Sequence, residues 1–202
     1  MRRTRRSKSA GTDPYADYLV YDSFTDTNGV HLHDHVPDRK PTGSAWADVN
    51  GAAEWTISGN KAKCSSAADS ATVIDSGVAD VDIILSSVVP GKYFAIVARA
   101  TGGVPFQYVL GQIQTAEDLL VIAYHDGAYH AIASVAYTVA PTDTITNFEF
   151  KVGPGTALEI LIDGVSKLST TSSFNQTKTQ IGLYGYTETG VCTVDGLTVA
   201  AL

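Results

Sequence analysis

Residues 22–62 read DSFTDTNGVHLHDHVPDRKPTGSAWADVNGAAEWTISGNKA. The fold turns on how His31, His33 and His35 sit within this stretch. On an extended strand, positions i, i+2 and i+4 point the same way. Three imidazoles on one face could then hold a zinc ion. Pro37 follows closely, and proline is confined to strand edges and starts, so the segment reads as loop rather than regular strand. The next glutamate is Glu54, well downstream. The segment is therefore expected to be a structural loop with no metal.

On either side the chain reads as strands and turns. YLVYDSF is a first strand. AEWTIS and KAKCSS flank Gly59-Asn60, a hairpin turn. KYFAIVARA, FQYVLGQIQT, DLLVIAYHD and AYHAIASVAYTV follow, joined by short or Gly-rich turns. Asp126-Gly127 and Asp163-Gly164 lie between alternating runs, a strong hairpin signal because both residue types tolerate positive φ. QIGLYGYT and VCTVDGLTVA close the chain. No window sustains a 3.6-residue period. About a dozen strands with regular turn signals predict a sandwich, jelly roll or barrel. In KYFAIVARA, Tyr93, Ala95, Val97 and Arg99 share one face, and Phe94, Ile96 and Ala98 the other. Arg99 is thus expected on the face away from the core, in a groove or in a cross-strand ion pair.

The 202 residues suffice for one domain with a sizeable core, and 17% charged content marks a globular chain. Two cysteines, Cys64 and Cys192, are too few for a disulfide framework. The net charge of −7 hides an asymmetry. MRRTRRSKS carries Arg2, Arg3, Arg5, Arg6 and Lys8 with no acid, leaving nine basic and 21 acidic residues elsewhere, a charge of −12. The chain reads as a basic extended arm, residues 1–18, on an acidic domain, residues 19–202. The arm lacks the apolar stretch of a secretory signal, and no apolar run is long enough to span a bilayer. The expected setting has no membrane partner.

The skeleton Asp22-x-Phe24, Asn28-Gly29, Leu32-x-x-His35-x-Pro37-Asp38, Trp46, Trp55-x-Ile57 and Asn60-x-Ala62 resembles the opening of laminin-G-like, concanavalin A-like jelly-roll modules. Such modules occur in bacterial surface proteins and phage structural proteins. The likeness continues through YFAIVARATGG, FQYVLGQI, LEILIDGV, QIGLYGY and VCTVDGLTV, and spans residues 20–200. It implies an all-β, antiparallel two-sheet jelly-roll sandwich whose first and last strands pair. It also implies that His35, Pro37 and Asp38 shape a loop near Trp46, with His31 and His33 exposed. Whether Cys64 and Cys192 meet stays open. Modules of this kind often bind calcium at the loop rim, which makes Asp22, Asp26 and Asn28 candidate ligands. Their spacing is not that of an EF-hand loop.

Glycosidases of the related fold carry acids at alternate positions, E-x-D-x-E, from which two carboxylates flank the scissile bond. Here Asp80 and Asp82 alternate, but no glutamate follows. No G-x-S-x-G, P-loop or Cys-His signature is present. A non-enzymatic protein is expected. Arg99, Tyr108, Tyr124, His125 and Tyr129 form the candidate ligand face for a glycan, or are residues lining a sheet. The arm would bind nucleic acid through its charge, or strap onto an acidic neighbour. The expectation is a structural or binding component of a phage virion, assembled in the host cytoplasm. It would be oligomeric, with other virion proteins and a host-surface glycan as partners. The alternatives are a capsid shell protein with a genome-binding arm and a carbohydrate-binding surface module.

Overall fold

The alternation in KYFAIVARA shows why this chain forms a sandwich. The computed structural model describes residues 13–50, 54–102, 105–188 and 190–202. The basic residues Arg2, Arg3, Arg5, Arg6 and Lys8 lie outside them. Phe94, Ile96 and Ala98 of Tyr93–Thr101 point inward and are fully buried, while Tyr93, Ala95 and Val97 point outward.

In chain order, the strands of the first half are β1 (Val20–Asp22), β2 (Ala47–Asn50), β3 (Trp55–Ile57), β4 (Ala62–Cys64), β5 (Ser70–Asp75), β6 (Val81–Val88), β7 (Tyr93–Thr101) and β8 (Gln107–Gln114). The second half supplies β9 (Leu119–His125), β10 (Tyr129–Ala136), β11 (Ile145–Val152), β12 (Ala157–Ile162), β13 (Val165–Thr171), β14 (Gln180–Tyr186), β15 (Cys192–Val194) and β16 (Gly196–Ala201). They form a seven-stranded sheet, β10-β9-β8-β7-β14-β5-β2, and a six-stranded sheet, β1-β16-β6-β11-β12-β13. A short sheet, β15-β4-β3, completes the set. Every pairing is antiparallel. The fold is an all-β jelly-roll sandwich, as the sequence predicts.

The two sheets meet through large apolar side chains. Phe94 on β7 lies 6.1 Å, ring to ring, from Phe148 on β11. Phe150 packs so closely beneath β8 that a Cβ at Gly111 would meet its ring at 2.8 Å. The first and last strands pair, Val20 opposite Val199. Gly59-Asn60 and Asp163-Gly164 both adopt left-handed φ at each position, as a tight two-residue hairpin requires. No helix among the described residues is long and apolar enough to cross a membrane.

The last residues assigned to the arm, 13–18, are among those described. Residues 13–18 turn back onto the body, with Tyr15 stacked on Tyr21 at 4.0 Å. The Arg39 guanidinium donates to the carbonyls of Tyr18 (2.5 Å) and Ala16 (3.2 Å) and pairs with Asp13.

Candidate functional site

The outer face of the seven-stranded sheet carries a depression lined by residues of neighbouring strands. Two adjacent rows cross the strands. In one, Tyr186 lies opposite Tyr93, and Tyr93 opposite Gln114. In the next, Tyr184 lies opposite Ala95, and Ala95 opposite Gln112. Between the tyrosines and glutamines of these rows lies a cleft of about 490 Å3. Tyr129, 47% exposed, adds a further wall from β10.

Hydrogen bonds fix these walls. Gln114 Nε2 donates to Gln112 Oε1 at 2.6 Å and to the Tyr129 hydroxyl at 3.1 Å. The Tyr129 hydroxyl donates in turn to Gln112 Oε1 at 3.3 Å. Tyr93 donates to Glu117 and Tyr184 to Asp69, each at 2.5 Å. Tyr186 donates to Glu188 at 3.2 Å. Lys92 Nζ sits 2.5 Å from the same carboxylate and about equally above the Tyr93 and Tyr186 rings, at 5.5 and 5.6 Å.

Three of the phenols are raised above their ordinary value. The bond to Glu117, and then burial, raise the Tyr93 phenol. Burial, followed by the bond to Asp69, raises that of Tyr184, and burial raises that of Tyr129. Lys92 holds Glu188 below the usual carboxylate range, and its own ammonium is raised by that bond. On β8, the alternate cleft-facing positions carry amides, Gln112 and Gln114. An amide can donate and accept hydrogen bonds but cannot serve as proton donor or nucleophile in glycoside cleavage.

Of the residues read from sequence as the ligand face, Tyr129 lines the cleft. Tyr108 and His125 lie on the same face beyond it, their rings stacked at 5.2 Å and 3°. Tyr108 is 4% exposed and also packs on Phe106. Tyr124 is a correction: it points to the inner side, stacked at 4.6 Å on both His130 and Phe174. Arg99 is a second correction. The β7–β8 register shifts between Ala98 and Thr101, and Arg99 takes a positive φ of 49°. That bulge turns its side chain inward, leaving the residue 1% exposed. It donates to the carbonyls of Ser172 (2.9 Å), Gly155 (3.1 Å) and Gly153 (3.2 Å), and lies 3.7 Å from Asp80. Arg99 latches β7 to loops of the facing sheet.

The histidine segment forms a 3-10 turn, Leu32–Asp34, which breaks the alternation a zinc face would need. His31, expected to be exposed, is half-buried, and its ring stacks on the exposed His33 at 5.4 Å. His33 Nδ1 meets Asp48 at 2.6 Å. His35 is inserted between two carboxylates, Nε2 to Asp22 and Nδ1 to Asp26, each at 2.9 Å. Asp22 also accepts from Trp46 Nε1 and from the Phe24 amide, both at 2.8 Å. Asp38 accepts from the amide and hydroxyl of Ser23, beside the buried Pro37. Asn28 accepts from the Gly59 amide at 2.7 Å. Among the described residues no group of three or more His, Cys, Asp or Glu side chains is placed to hold a metal ion.

Sequence reasoning missed most of the cleft. The signal was present in GQIQ and LYGY, which put like residues at alternate positions. It emerges only when the strand register aligns them with Tyr93.

No protein-family model matches the chain, and no curated protein matches it in sequence. Solved structures do share its fold. The carbohydrate binding module CBM66 from Bacillus subtilis matches with a TM-score of 0.59 at 16% identity, over 77% of this chain and 92% of that one. A Bacillus licheniformis beta-glucanase matches at 0.57 and 13% identity, over 90% and 97%. An inactivated mutant of beta-agarase B in complex with agaro-octaose matches at 0.59 and 11% identity, over 90% and 91%. These are concanavalin A-like, lectin-type jelly rolls, and at such identities the likeness establishes the fold alone.

Proposed function

We propose that this domain is a non-catalytic glycan-binding module whose ligand lies in the cleft between Tyr93, Tyr184, Tyr186 and Tyr129. The supporting observation is the cleft itself. Four tyrosines, two glutamines and carboxylate acceptors converge on one open depression of the sheet. Aromatic rings offer apolar platforms to sugar rings, and the amides and carboxylates offer partners to hydroxyls. The amides at the alternate positions of β8 favour binding over hydrolysis. The carbohydrate module and the agaro-octaose complex among the fold's neighbours make a sugar ligand the natural first choice. The basic segment Arg2–Lys8 would supply attachment to a larger assembly, with a phage virion as the proposed setting.

Affinity electrophoresis of the full chain against soluble polysaccharides tests this reading. Retardation by at least one of them is expected, lost in Tyr186→Ala without loss of fold. No Tyr186-dependent retardation by any polysaccharide would reject it. Reducing sugar released on prolonged incubation would reject the non-catalytic part.

A further inference from the structure

We infer that the cleft selects glycans that carry no anionic groups. The inference rests on the glycan reading above and goes on to name the ligand's charge class. Asp69 and Glu117 line the cleft, and Glu188 sits at its rim. Lys92 is the one cation among the described lining residues, and its ammonium is bound by Glu188. The two lining carboxylates oppose one ammonium that Glu188 already pairs, so the site is net negative.

Hydrogen-bond polarity points the same way. Tyr93 and Tyr184 give their hydroxyl protons to Glu117 Oε1 and Asp69 Oδ1. Each carboxylate keeps a second oxygen, and an ionised carboxylate is purely an acceptor. Gln114 spends its amide donor on Gln112 and Tyr129. The cleft thus offers ionised acceptors, and its remaining donors are the Gln112 amide and the Lys92 ammonium already paired with Glu188. Sugar hydroxyls, which donate, suit it. A uronate or sulfate needs the forked or ammonium donors that usually bind such groups. Here it would meet like charges instead, and like-charge juxtaposition at an interface is strongly unfavourable. A sugar bearing a free amino group satisfies the same rule.

Competition on the full chain tests this, using mixed-linkage β-glucan, laminarin and agaro-oligosaccharides as neutral probes. The anionic probes are polygalacturonate, carboxymethyl cellulose and dextran sulfate. The basic N-terminal segment will itself attract polyanions, so only binding lost in Tyr186→Ala counts as cleft binding. A neutral probe is expected to bind in this Tyr186-dependent way, with anionic probes at least about tenfold weaker at 0.15 M salt. The double variant Asp69→Asn, Glu117→Gln should narrow that gap. Tyr186-dependent binding of an anionic probe as tight as any neutral one would overturn the inference and leave the glycan reading standing. If no probe of either kind binds in a Tyr186-dependent way, both fall.

Discussion

His35 donates to Asp22 across 2.9 Å inside the fold, with the His35 side chain 4% exposed and that of Asp22 fully buried. Its other ring nitrogen meets Asp26 at the same distance. Both nitrogens therefore face carboxylates, which requires the doubly protonated ring. Burial opposes that charge, but the bonds to Asp26 and Asp22 outweigh it and hold the His35 pKa above its usual value. Burial likewise pushes the Asp22 carboxyl up, against the bonds from Trp46 and His35.

His35→Ala should cost about 3 kcal/mol, because it leaves a buried carboxylate without its cation. A folded pKa above the unfolded value of about 6.5 means that the native state binds the proton more tightly. This stabilisation is complete below pH 6.5 and is lost as pH rises through the folded value. Urea denaturation at pH 6 and pH 9 should show a larger gap between wild type and His35→Gln at pH 6. An equal gap at both values would contradict the charged ring.

Arg99→Met should destabilise by about 2 kcal/mol, since the carbonyls of Ser172, Gly153 and Gly155 lose a charged donor within a buried setting. Lysine should recover little, because one ammonium cannot match the planar fork. Glycan affinity should not change, because Arg99 lies on the inner side of the sheet. Denaturant midpoints and binding isotherms on the same samples separate the two effects.

Arg99 also marks where the sequence stops being legible. The layers, the hairpins and the pairing of first and last strands follow from period-two alternation and turn chemistry, both written locally. Alternation places Arg99 outward only if β7 is regular to its end, and the bulge that inverts it has no local signature in VARAT. Tyr124 fails for a related reason: alternation gives its parity but not which side holds the core. The cleft was hidden differently. Its residues come from four separate strands and the loops beside them, and only the register brings Tyr186, Tyr93 and Gln114 into one row.

Tyr186→Ala should reduce glycan affinity tenfold or more, as loss of a stacking platform at a binding site does. Its melting temperature should stay near wild type, because Tyr186 is partly exposed at the end of β14. Gln112→Ala should weaken binding less, while Tyr108→Phe, stacked on His125 away from the cleft, should leave it unchanged. Calorimetric titration with the best neutral glycan ranks the three. A Tyr108→Phe variant weaker than Gln112→Ala would move the site along the sheet.

Cys64 and Cys192 lie directly opposite on β4 and β15, both fully buried and both free. Burial raises each thiol, Cys192 to about 12. The thiolate is the reactive form, so neither should react with iodoacetamide at pH 8 in the native protein. Both should react in 8 M urea. Mass spectrometry counts the adducts, and rapid native labelling of either cysteine would contradict the placement.

Gly182 sits where β14 is flanked by β5 and β7, and a Cβ there would come within 2.0 Å of the Thr72 carbonyl oxygen and 2.8 Å of Val73 Cα. Both obstacles are backbone, so relief requires the strands to part. At Gly185, three residues on, the nearest atom is the Trp55 ring at 3.0 Å, a side chain that can shift. Overpacking of a well-packed core costs about 1–3 kcal/mol, and more where backbone must move. Gly182→Ala should therefore be the more damaging substitution, lowering the denaturation midpoint further than Gly185→Ala or preventing folding. Gly185→Ala should fold and lose about 1–2 kcal/mol, within the same range. Because Gly182 and Gly185 belong to the strand that carries Tyr184 and Tyr186, a parted β14 should also weaken glycan binding. A Gly182→Ala protein that folds at wild-type stability would show that β14 and β5 are not pinned at this register.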